Sequence, residues 1–402
     1  MRNEFFVPVL LMFLATSTLA QNSPAPQLPP FLKPGMRITY QGGNSTLRGT
    51  RMVLDPQFGY IKKGNDLYRL EEGRSGGGVG YTQLNIQAAD PNLIAADVAI
   101  YLNVDLANNI VVGSGFATMV GNASGLGDYW KPLSMLSAVT DGPQPDGTVG
   151  SHSVYSLNGQ NYNVVTIRYS GPNRTSINSY DLQTGLLISG GSIDTDAATI
   201  ITDPNGVVQG SANGSAQISH LRFVSVRQVN IPWAGDPMPP GLVKGSRFEY
   251  QGGDRAVLGG GAGLPPLPPR AVAMSLIIGD IASGCAVSTI VQRADLGQGI
   301  PPSQTTANRC FSSAQLNGLW ISPRAVAAMQ PNQVLDQDPV TRFRVIFAGV
   351  QNGFASIYEQ GPREMVERYY ALQTGLLTSS RITRTTANIG QQITEYNLTG
   401  RQ

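Results

Sequence analysis

The chain has 402 residues, with 28 Lys and Arg against 26 Asp and Glu, for a net charge of +2. This balance excludes the strongly basic surface that neutralises nucleic-acid phosphates. Charged residues make up only 13% of the chain, whereas it contains 47 Gly and 27 Pro. Such a composition is typical of strands joined by tight turns.

The first 20 residues have the pattern of a secretory signal. Arg2 stands near the start, an apolar run extends from Phe5 to Leu14, and small residues end at Ala20. The run is shorter than the roughly 20 apolar residues that span a bilayer, and no later segment approaches that length. We therefore expect residues 1–20 to be removed and the mature chain to be exported and soluble, in the periplasm or outside the cell. Residues 21–34 form a proline-rich lead that we expect to be extended.

The two halves of the chain repeat each other in sequence. The segment Leu182–Leu187 recurs letter for letter as Leu372–Leu377, 190 positions later. A second offset, of 210 positions, relates Tyr40–Gly43 to Tyr250–Gly253. Self-similarity of this kind indicates a structural unit that occurs twice.

The shorter offset also relates two pairs of aromatic residues: Trp130 with Trp320, and Tyr180 with Tyr370. We therefore predict a first β-rich repeat over residues 35–235 and a second over residues 236–402. The proline-rich joint at Pro237–Pro240 is compatible with either a hinge or a fixed packing of the two repeats.

Each repeat opens on an alternating pattern that predicts a half-buried strand. In the first repeat the strand is Met36–Tyr40, and we expect Gln41–Gly43 to end it in a turn. In the second repeat it is Ser246–Tyr250. Phe248 and Tyr250 fall on one face of that strand, so both are expected in the core.

The repeats differ in length between the opening strand and the tryptophan, which predicts loops or peripheral hairpins there. The glycine- and proline-rich parts of these insertions are Gly73–Gly80 and Gly259–Arg270. A short helix is expected after each tryptophan, over Leu133–Val139 in the first repeat. In the second repeat Ser322 fits the N-cap and Pro323 the first helical position.

The remaining segments predict strands because they are rich in β-branched and aromatic residues. They are Tyr162–Tyr169, Ile218–Val229, Phe343–Phe347 and Ile393–Leu398. A hairpin is expected over Thr199–Val208 with its turn at Asn205-Gly206, and Gly185 and Gly375 are expected at positive φ in tight turns. The predicted fold class is mainly β: two tandem copies of a curved antiparallel sheet, half-barrel-like, each with a short helix after the tryptophan.

The chain has 2 cysteines, Cys285 and Cys310. In an exported protein an even pair indicates a disulfide. The alternative is two unpaired buried thiols. Neither cysteine has a nearby Cys or His partner in the sequence, so the pattern indicates no metal site, and no cofactor is indicated.

Residue types that could support catalysis are few and scattered. His152 and His220 lie outside any recognised catalytic motif, and His220 fits a solvent-facing strand position. Ser114, in Gly113-Ser114-Gly115, lacks the spacing of a nucleophile elbow and suits a strand end. Asp194, Asp196 and Asp203 could bind calcium through hard oxygen ligands, although aspartates are also ordinary turn residues.

The repeated aromatic residues are the candidate ligand-binding residues. Trp130 and Trp320 could line a groove, with Tyr180 and Tyr370 giving hydrogen bonds at its edge. The alternative is structural, because a residue retained in both repeats is one that the fold needs twice.

The segment Tyr180–Leu187 resembles the Y-D-x-x-T-G-x-L hairpin of exported bacterial half-barrels of the lipoprotein-carrier type, the LolA/LolB-like superfamily. In the second repeat Ala371 stands at the Asp position. The resemblance implies a curved antiparallel sheet that wraps a helical plug and holds an acyl chain in its apolar concavity. The tandem arrangement is also similar to that of uncharacterised secreted bacterial proteins.

These patterns favour an exported, non-catalytic binding protein that takes an apolar or amphiphilic ligand in a curved sheet. The alternative is a structural or adhesive cell-surface module with no small-molecule ligand, and a hydrolase with scattered carboxylates ranks third. The first two differ in one observable property. A cavity of roughly 300 Å³ or more on a concave face favours a ligand, whereas a filled core favours the structural module.

Overall fold

A computed structural model describes residues 28–54, 61–63, 65–172, 174–195, 208–209, 216–258, 269–295, 301–386 and 390–402. Four predictions fall mostly outside these ranges: the signal segment, the beginning of the proline-rich lead, the turn at Asn205-Gly206 and the proline-rich segment before Arg270.

The fold is mainly β, as the sequence predicts, and its strands form two antiparallel sheets. The first sheet contains β1 (Met36–Leu54), β2 (Ile61–Lys63), β3 (Asp66–Ala89), β4 (Ile94–Asp105), β5 (Ile110–Gly121), β6 (Gly142–Pro143), β7 (Val149–Leu157), β8 (Gln160–Ser170), β9 (Arg174–Asp181), β10 (Leu187–Thr195), β11 (Val208–Gln209) and β12 (Ala216–Gln228).

The second sheet is built from the strands of the second repeat. They are β13 (Arg247–Leu258), β14 (Arg270–Ala282), β15 (Cys285–Ala294), β16 (Ser303–Phe311), β17 (Gln333–Gln337), β18 (Arg344–Gln351), β19 (Phe354–Gln360), β20 (Glu364–Ala371), β21 (Leu377–Thr386) and β22 (Gly390–Arg401). One short helix follows each of the two repeated tryptophans: α1 (Leu133–Leu136) follows Trp130 and α2 (Pro323–Ala327) follows Trp320.

The strands of the two sheets follow the same order. In the first sheet it is β5-β4-β3-β1-β12-β10-β9-β8-β7-β6. Outside this order, β2 pairs with β3 and β11 pairs with β1. In the second sheet it is β16-β15-β14-β13-β22-β21-β20-β19-β18-β17. Each opening strand thus lies between its hairpin partner and the closing strand. This shared topology confirms the internal repeat, and we call the two sheets with their helices the first and second lobes.

The tryptophan corner has the same geometry in both lobes. Each of the two repeated tryptophans forms an isolated β-bridge with a leucine of the repeated turn segment: Trp130 with Leu186, and Trp320 with Leu376. The N–H of the residue after each tryptophan donates to a turn glycine, 3.0 Å to the Gly185 carbonyl and 2.9 Å to that of Gly375. These glycines have φ of +77° and +70°, which confirms their predicted conformation.

The prediction that Gln41–Gly43 ends the opening strand is wrong. β1 continues through these residues to Leu54. A Cβ on Gly42 would lie 2.3 Å from the carbonyl oxygen of His220 in the neighbouring strand, and a Cβ on Gly252 would lie 1.7 Å from that of Glu395. Glycine is required because the strands approach closely here, and the chain does not turn.

Two glycine-rich segments also lie inside strands. Gly73–Gly80 belongs to β3 and not to a loop, because β1 pairs with it along its length and supplies ladder hydrogen bonds that glycine propensity alone would not predict. Gly113–Gly115 lies within β5 and not at a strand end. Ser114 is the extra residue of a bulge there, since Tyr101 pairs with Gly113 and Ile100 with Gly115.

The two helices are short. Ser322 caps α2 by accepting a hydrogen bond from the Ala325 N–H at 3.3 Å, and Pro323 begins the helix, as predicted. α1 ends at Leu136, three residues earlier than predicted, and Val139 packs against the first core from outside the helix. Among the described residues, no helix has the length and apolar character needed to cross a membrane.

The segment that follows the first sheet enters the core of the second lobe. Val229, Ile231 and Trp233 pack with Val326 of α2. The Trp233 indole N–H donates to the Gln315 carbonyl at 2.8 Å. The connection between the lobes is therefore itself buried in the second lobe.

Strand β4 is buried on both faces. Ile94, Ala96 and Val98 lie on the face that contacts α1 and the core of the first lobe, which we call the inner face of the first sheet. Asp97 and Tyr101 lie on the opposite, outer face, where they contact residues of the second lobe. The second lobe thus covers the outer face of the first sheet at β4.

Candidate ligand site

The inner face of the first sheet is filled at one end and open at the other. Along β4 the exposed fraction rises from 0% at Ile94 to 7% at Val98 and 40% at Ile100, although all three share this face. Beyond the core lies a cavity of about 330 Å³. Its inner-face lining consists of Gly42, Gly78, Gly80, Thr82, Val98, Ile100, Leu102, Tyr129, Ser219 and Leu221.

Glycines keep this part of the sheet free of side chains. A Cβ on Gly80 would lie 1.9 Å from the Tyr101 carbonyl oxygen, so this position cannot accept a larger residue without moving the strand. A Cβ on Gly78 would lie 3.6 Å from Leu102, an ordinary contact distance. The absence of a side chain at Gly78 therefore leaves open volume in the cavity, whereas Gly80 allows the backbones of β3 and β4 to approach closely.

An aromatic group lies where the cavity meets the core. The rings of Tyr40 and Tyr129 have centroids 5.3 Å apart, and burial raises the pKa of Tyr129 to about 12, with a further contribution from Asp128. The Tyr129 phenol is therefore neutral at physiological pH and can donate a hydrogen bond.

The two lobes differ at the opening-strand tyrosine. In the second lobe the Tyr250 hydroxyl donates to the Leu377 carbonyl at 3.0 Å. The corresponding hydroxyl of Tyr40 is buried and has no hydrogen-bond partner among the described residues. An unsatisfied buried polar group of this kind costs about 1–3 kcal/mol, so the opening-strand tyrosine is less well satisfied in the first lobe than in the second.

A second cavity, of about 560 Å³, lies at the tryptophan corner of the second lobe. Trp320 contributes to its lining together with Leu376, the proline-rich joint Pro237–Pro240 and Arg401. We call it the corner cavity. Trp320 is one of the four candidate aromatic residues, and it lines the corner cavity.

Like Trp320, which also belongs to the core of the second lobe, the other three candidate aromatic residues are buried in the cores. Trp130 is 3% exposed, and its indole N–H donates to the Thr184 carbonyl at 3.1 Å. Tyr180 is 1% exposed and packs in the first core. Tyr370 is fully buried, and its hydroxyl donates to the Gly318 carbonyl at 3.0 Å.

Buried charges line the contact between the lobes, which we call the inter-lobe seam. Asp336 and Asp338 of the second lobe are 8% and 2% exposed. Asp336 accepts two hydrogen bonds from Arg227, at 2.6 and 2.7 Å. Asp338 accepts from Arg227 at 2.9 Å, from Arg37 at 3.1 Å and from the side-chain amide of Gln83 at 3.0 Å.

A second group of contacts extends the seam, and here an acidic residue of the first lobe pairs with an arginine of the second. Asp97, in the first lobe, accepts from Arg309 of the second at 2.8 Å and also from the side-chain amide of Gln315. The backbone N–H of Gly113 donates to the Glu364 carboxylate at 2.7 Å. Charges paired in both directions across the contact favour a fixed packing of the lobes over a hinge.

The disulfide lies at the same contact. Cys285 and Cys310 are bonded, with their Cα atoms 5.8 Å apart. Both are buried together with Ala88 and Ala95 of the first lobe.

The remaining candidate residues do not come together. His152 pairs with Asp141 at 2.8 Å on the surface, and His220 is exposed on β12. Asp194 pairs with Arg174 at 3.6 Å, whereas Asp196 and Asp203 lie outside the described residues. Within the described ranges no group of three or more His, Cys, Asp or Glu is placed to hold a metal ion.

Sequence reasoning missed the seam completely. Arg37 was visible as a repeated residue, but its counterpart Arg247 pairs within its own strand, with Glu249. Asp336 and Asp338 lie two apart, the spacing that places side chains on one face of a strand. That spacing is a weak signal, because it gives no information about a partner 299 residues away.

The fold and cavities define a two-lobed, mainly β protein. The sequence matches no protein-family profile and no curated protein. Among solved structures it is similar to MucB in complex with MucA(peri), with 9% identity, a TM-score of 0.18 and coverage of 90% of this chain and 89% of the other.

Two further solved structures are transferrin binding proteins B. The isotype 1 protein from serogroup B Neisseria meningitidis has 9% identity and a TM-score of 0.17, covering 92% of this chain and 77% of that one. A mutant of the vaccine antigen from Haemophilus parasuis Hp5 has 9% identity and a TM-score of 0.16, with coverage of 94% and 77%. At these values the comparisons assign neither a fold family nor a ligand to this chain.

Proposed function

We propose that this protein is an exported, non-catalytic binding protein that holds an apolar or amphiphilic ligand on the inner face of its first sheet. The observation that supports the proposal is the cavity of about 330 Å³ beyond the first core. This volume lies within the range of roughly 300–1,000 Å³ that is typical of small-molecule sites.

The lining indicates the chemistry of the ligand. Val98, Ile100, Leu102 and Leu221 supply apolar walls, and covering the half-exposed Ile100 side chain would remove apolar surface from water. Tyr129 lies at the inner end of the cavity, where its phenol can form a hydrogen bond with a polar group of the ligand. A chain with one polar end therefore suits the cavity better than a uniformly polar molecule.

The sequence supports the same function independently. The signal-like segment at residues 1–20 supports export from the cytoplasm, and the Tyr180–Leu187 hairpin resembles that of the lipoprotein-carrier half-barrels. In that superfamily the acyl chain lies in the concavity of the sheet, and we assign this role to the inner face in the present protein. The ligand class that we propose is accordingly lipid-like.

A cavity-filling substitution tests the site. Gly78→Leu would place a side chain in the open space without a backbone clash, since the nearest atom to a Cβ is 3.6 Å away. Nile red, a neutral probe that fluoresces in apolar surroundings, should bind the wild-type protein, and we expect at least fivefold weaker binding to Gly78→Leu.

The matched control is Gly279→Leu, in β14 of the second lobe, where a Cβ would also meet its nearest atom at an ordinary distance, 3.7 Å. Its probe affinity should equal that of the wild type. Equal affinities for all three proteins would place the probe elsewhere and contradict the proposed site.

Native mass spectrometry of protein purified from its own exported fraction tests the ligand class. We expect an added mass that organic extraction releases and that is reduced in Gly78→Leu. A chain that is consistently bare would favour the alternative, a structural or adhesive cell-surface module.

A further inference from the structure

We propose that the corner cavity of the second lobe is a separate binding site for an anionic amphiphile, an apolar chain that ends in a carboxylate or a phosphate. This inference concerns a different cavity from the proposed function and specifies the charge of the ligand. It depends on the size, walls and charged rim of the cavity.

The floor of the corner cavity is apolar and rigid. Trp320, Ile321 and Leu376 form it and are 2%, 1% and 3% exposed. All three are held by the backbone hydrogen bonds of the tryptophan corner. At about 560 Å³ the cavity is larger than that of the first lobe and is large enough for a medium-length alkyl chain.

Prolines form much of the walls, beside the polar residues Ser322, Gln373 and Thr374. Pro237, Pro239, Pro240 and Pro323 all contribute to the lining, and proline has no backbone N–H. Met238 adds a flexible apolar side chain that adapts to ligand shape. Such walls favour an alkyl chain over a polar ligand, and the fixed φ of the prolines means that little ordering is required on binding.

Two arginines supply positive charge at the rim. Arg324 has a side chain that is 83% exposed, and it pairs with Asp236. Arg401 lies with its guanidinium carbon 5.7 Å from the centre of the Phe248 ring and donates to the Gly241 carbonyl at 2.6 Å. Within the described chain these contacts use one guanidinium nitrogen of each arginine, and a guanidinium has five N–H donors.

The charged lining residues sum to a positive rim. Two arginines face one aspartate, so two positive charges less one negative charge leave +1. An anionic head group can form charge-assisted hydrogen bonds to the remaining donors, and planar guanidinium groups match carboxylate and phosphate oxygens in geometry. A neutral hydroxyl can accept only a weaker hydrogen bond from these donors, and a cationic head group would be repelled by the net positive charge.

The arginines are specific to the second lobe. In the strand register Phe248 pairs with Arg401 where Ile38 pairs with Val226. Arg324 follows Trp320 by four positions, and Ser134 follows Trp130 by the same number. The repeated fold therefore does not itself require either charge, which leaves both arginines available for binding.

Four octyl compounds with different head groups test the inference. Octanoate and octyl phosphate should bind at least tenfold more tightly than 1-octanol, and octylamine should bind most weakly. Titrations by calorimetry give the affinities, and they are run in the Gly78→Leu variant as well, so that the cavity of the first lobe is excluded. Tryptophan fluorescence reports the place of binding, because its change should disappear in Trp320→Phe.

The double variant Arg324→Gln/Arg401→Gln should lose the preference for the two anions and keep the wild-type affinity for 1-octanol. Arg174→Gln, which removes another exposed arginine paired with a carboxylate, should leave all four affinities unchanged. Tighter octanoate would indicate a fatty-acid-like ligand and tighter octyl phosphate a phospholipid-like head group, and both results support the inference. Equal binding of all four compounds, or an unchanged anion preference in the double variant, would overturn it.

Discussion

Arg227, in the closing strand of the first sheet, forms a two-point ion pair with Asp336 of β17 in the second, at 2.6 and 2.7 Å. A bidentate pair of this kind fixes the angle between its partners as well as their distance. Because the Asp336 side chain is only 7% exposed, the pair lies within the contact and not at its rim. The two lobes are therefore held in one arrangement.

Removing Asp336 should destabilise the protein strongly. Asp336→Ala leaves Arg227 without its bidentate partner, and losing one partner of a buried pair costs about 3–5 kcal/mol. Since the Arg227 side chain keeps 22% of its exposure, we expect the lower end of this range, measured as the free energy of unfolding in urea. Asp280→Ala is the control, because its pair with Lys244 is exposed on both sides and should change stability by less than about 0.5 kcal/mol. Equal effects of the two variants would refute a structural role for the seam.

The seam should also make the free energy of unfolding depend on pH in the acid range. Burial raises the pKa of Asp338, but Arg37, the Thr341 N–H and Arg227 outweigh it and hold this pKa well below its usual value. A carboxylate with a lowered pKa in the folded state contributes stability that is complete above its unfolded pKa of about 4. That contribution is lost as the pH falls further, because the unfolded chain takes up the proton first.

Urea titrations between pH 6 and pH 2 measure this dependence. The free energy of unfolding should fall below about pH 4, and Asp338→Asn should lower stability at neutral pH while making the acid limb less steep. A slope that is identical in the variant would show that other carboxylates are responsible for the acid sensitivity.

Local signals allowed much of the fold to be predicted from sequence. The alternation of Phe248 and Tyr250, the cap at Ser322 and the positive φ of Gly185 each depend on a few adjacent residues, and all three predictions are confirmed. Gly42 was misjudged because glycine allows both a turn and a close approach of strands, and the sequence does not distinguish between them.

The sites could not be predicted in the same way, because they depend on contacts between distant residues. The cavity of the first lobe is lined by residues of several strands, including Gly78 of β3, Leu102 of β4 and Leu221 of β12. Arg401 reaches the corner cavity only through its pairing with Phe248, 153 positions earlier. The sequence around a single charged or small residue on a strand does not reveal which distant residue it will contact.

Reduction of the disulfide should weaken the seam as well as the hairpin that it closes. Cys285 and Cys310 are separated by 25 positions in the sequence. A disulfide that closes a loop of this length stabilises a fold by about 3 kcal/mol. We expect a loss of that order in urea titrations with a thiol reductant. The double variant Cys285→Ala/Cys310→Ala should already be less stable and should not respond to the reductant. A wild-type protein that is equally stable in both conditions would contradict this expectation.

Alanine substitutions at the two turn glycines test whether the tryptophan corner is the framework of both lobes. In Gly185→Ala the new Cβ would lie 2.0 Å from the Lys131 carbonyl oxygen, and in Gly375→Ala it would lie 2.1 Å from that of Ile321. Both positions also have positive φ, which costs a non-glycine residue about 1–2 kcal/mol by itself. We therefore expect each variant to lose about 3 kcal/mol or more, the sum of backbone strain and displacement of the corner.

Gly284→Ala separates these two contributions. Gly284 has a similar φ of +75°, but a Cβ at this position would have no neighbour within 4 Å, so only the backbone cost of about 1–2 kcal/mol applies. Thermal and urea unfolding of the three variants should place Gly185→Ala and Gly375→Ala together and well below Gly284→Ala. If only one corner variant were strongly destabilised, the two corners would not be equivalent supports of their lobes. If all three variants lost the same amount, the close contact with the tryptophan segment would make no contribution to stability.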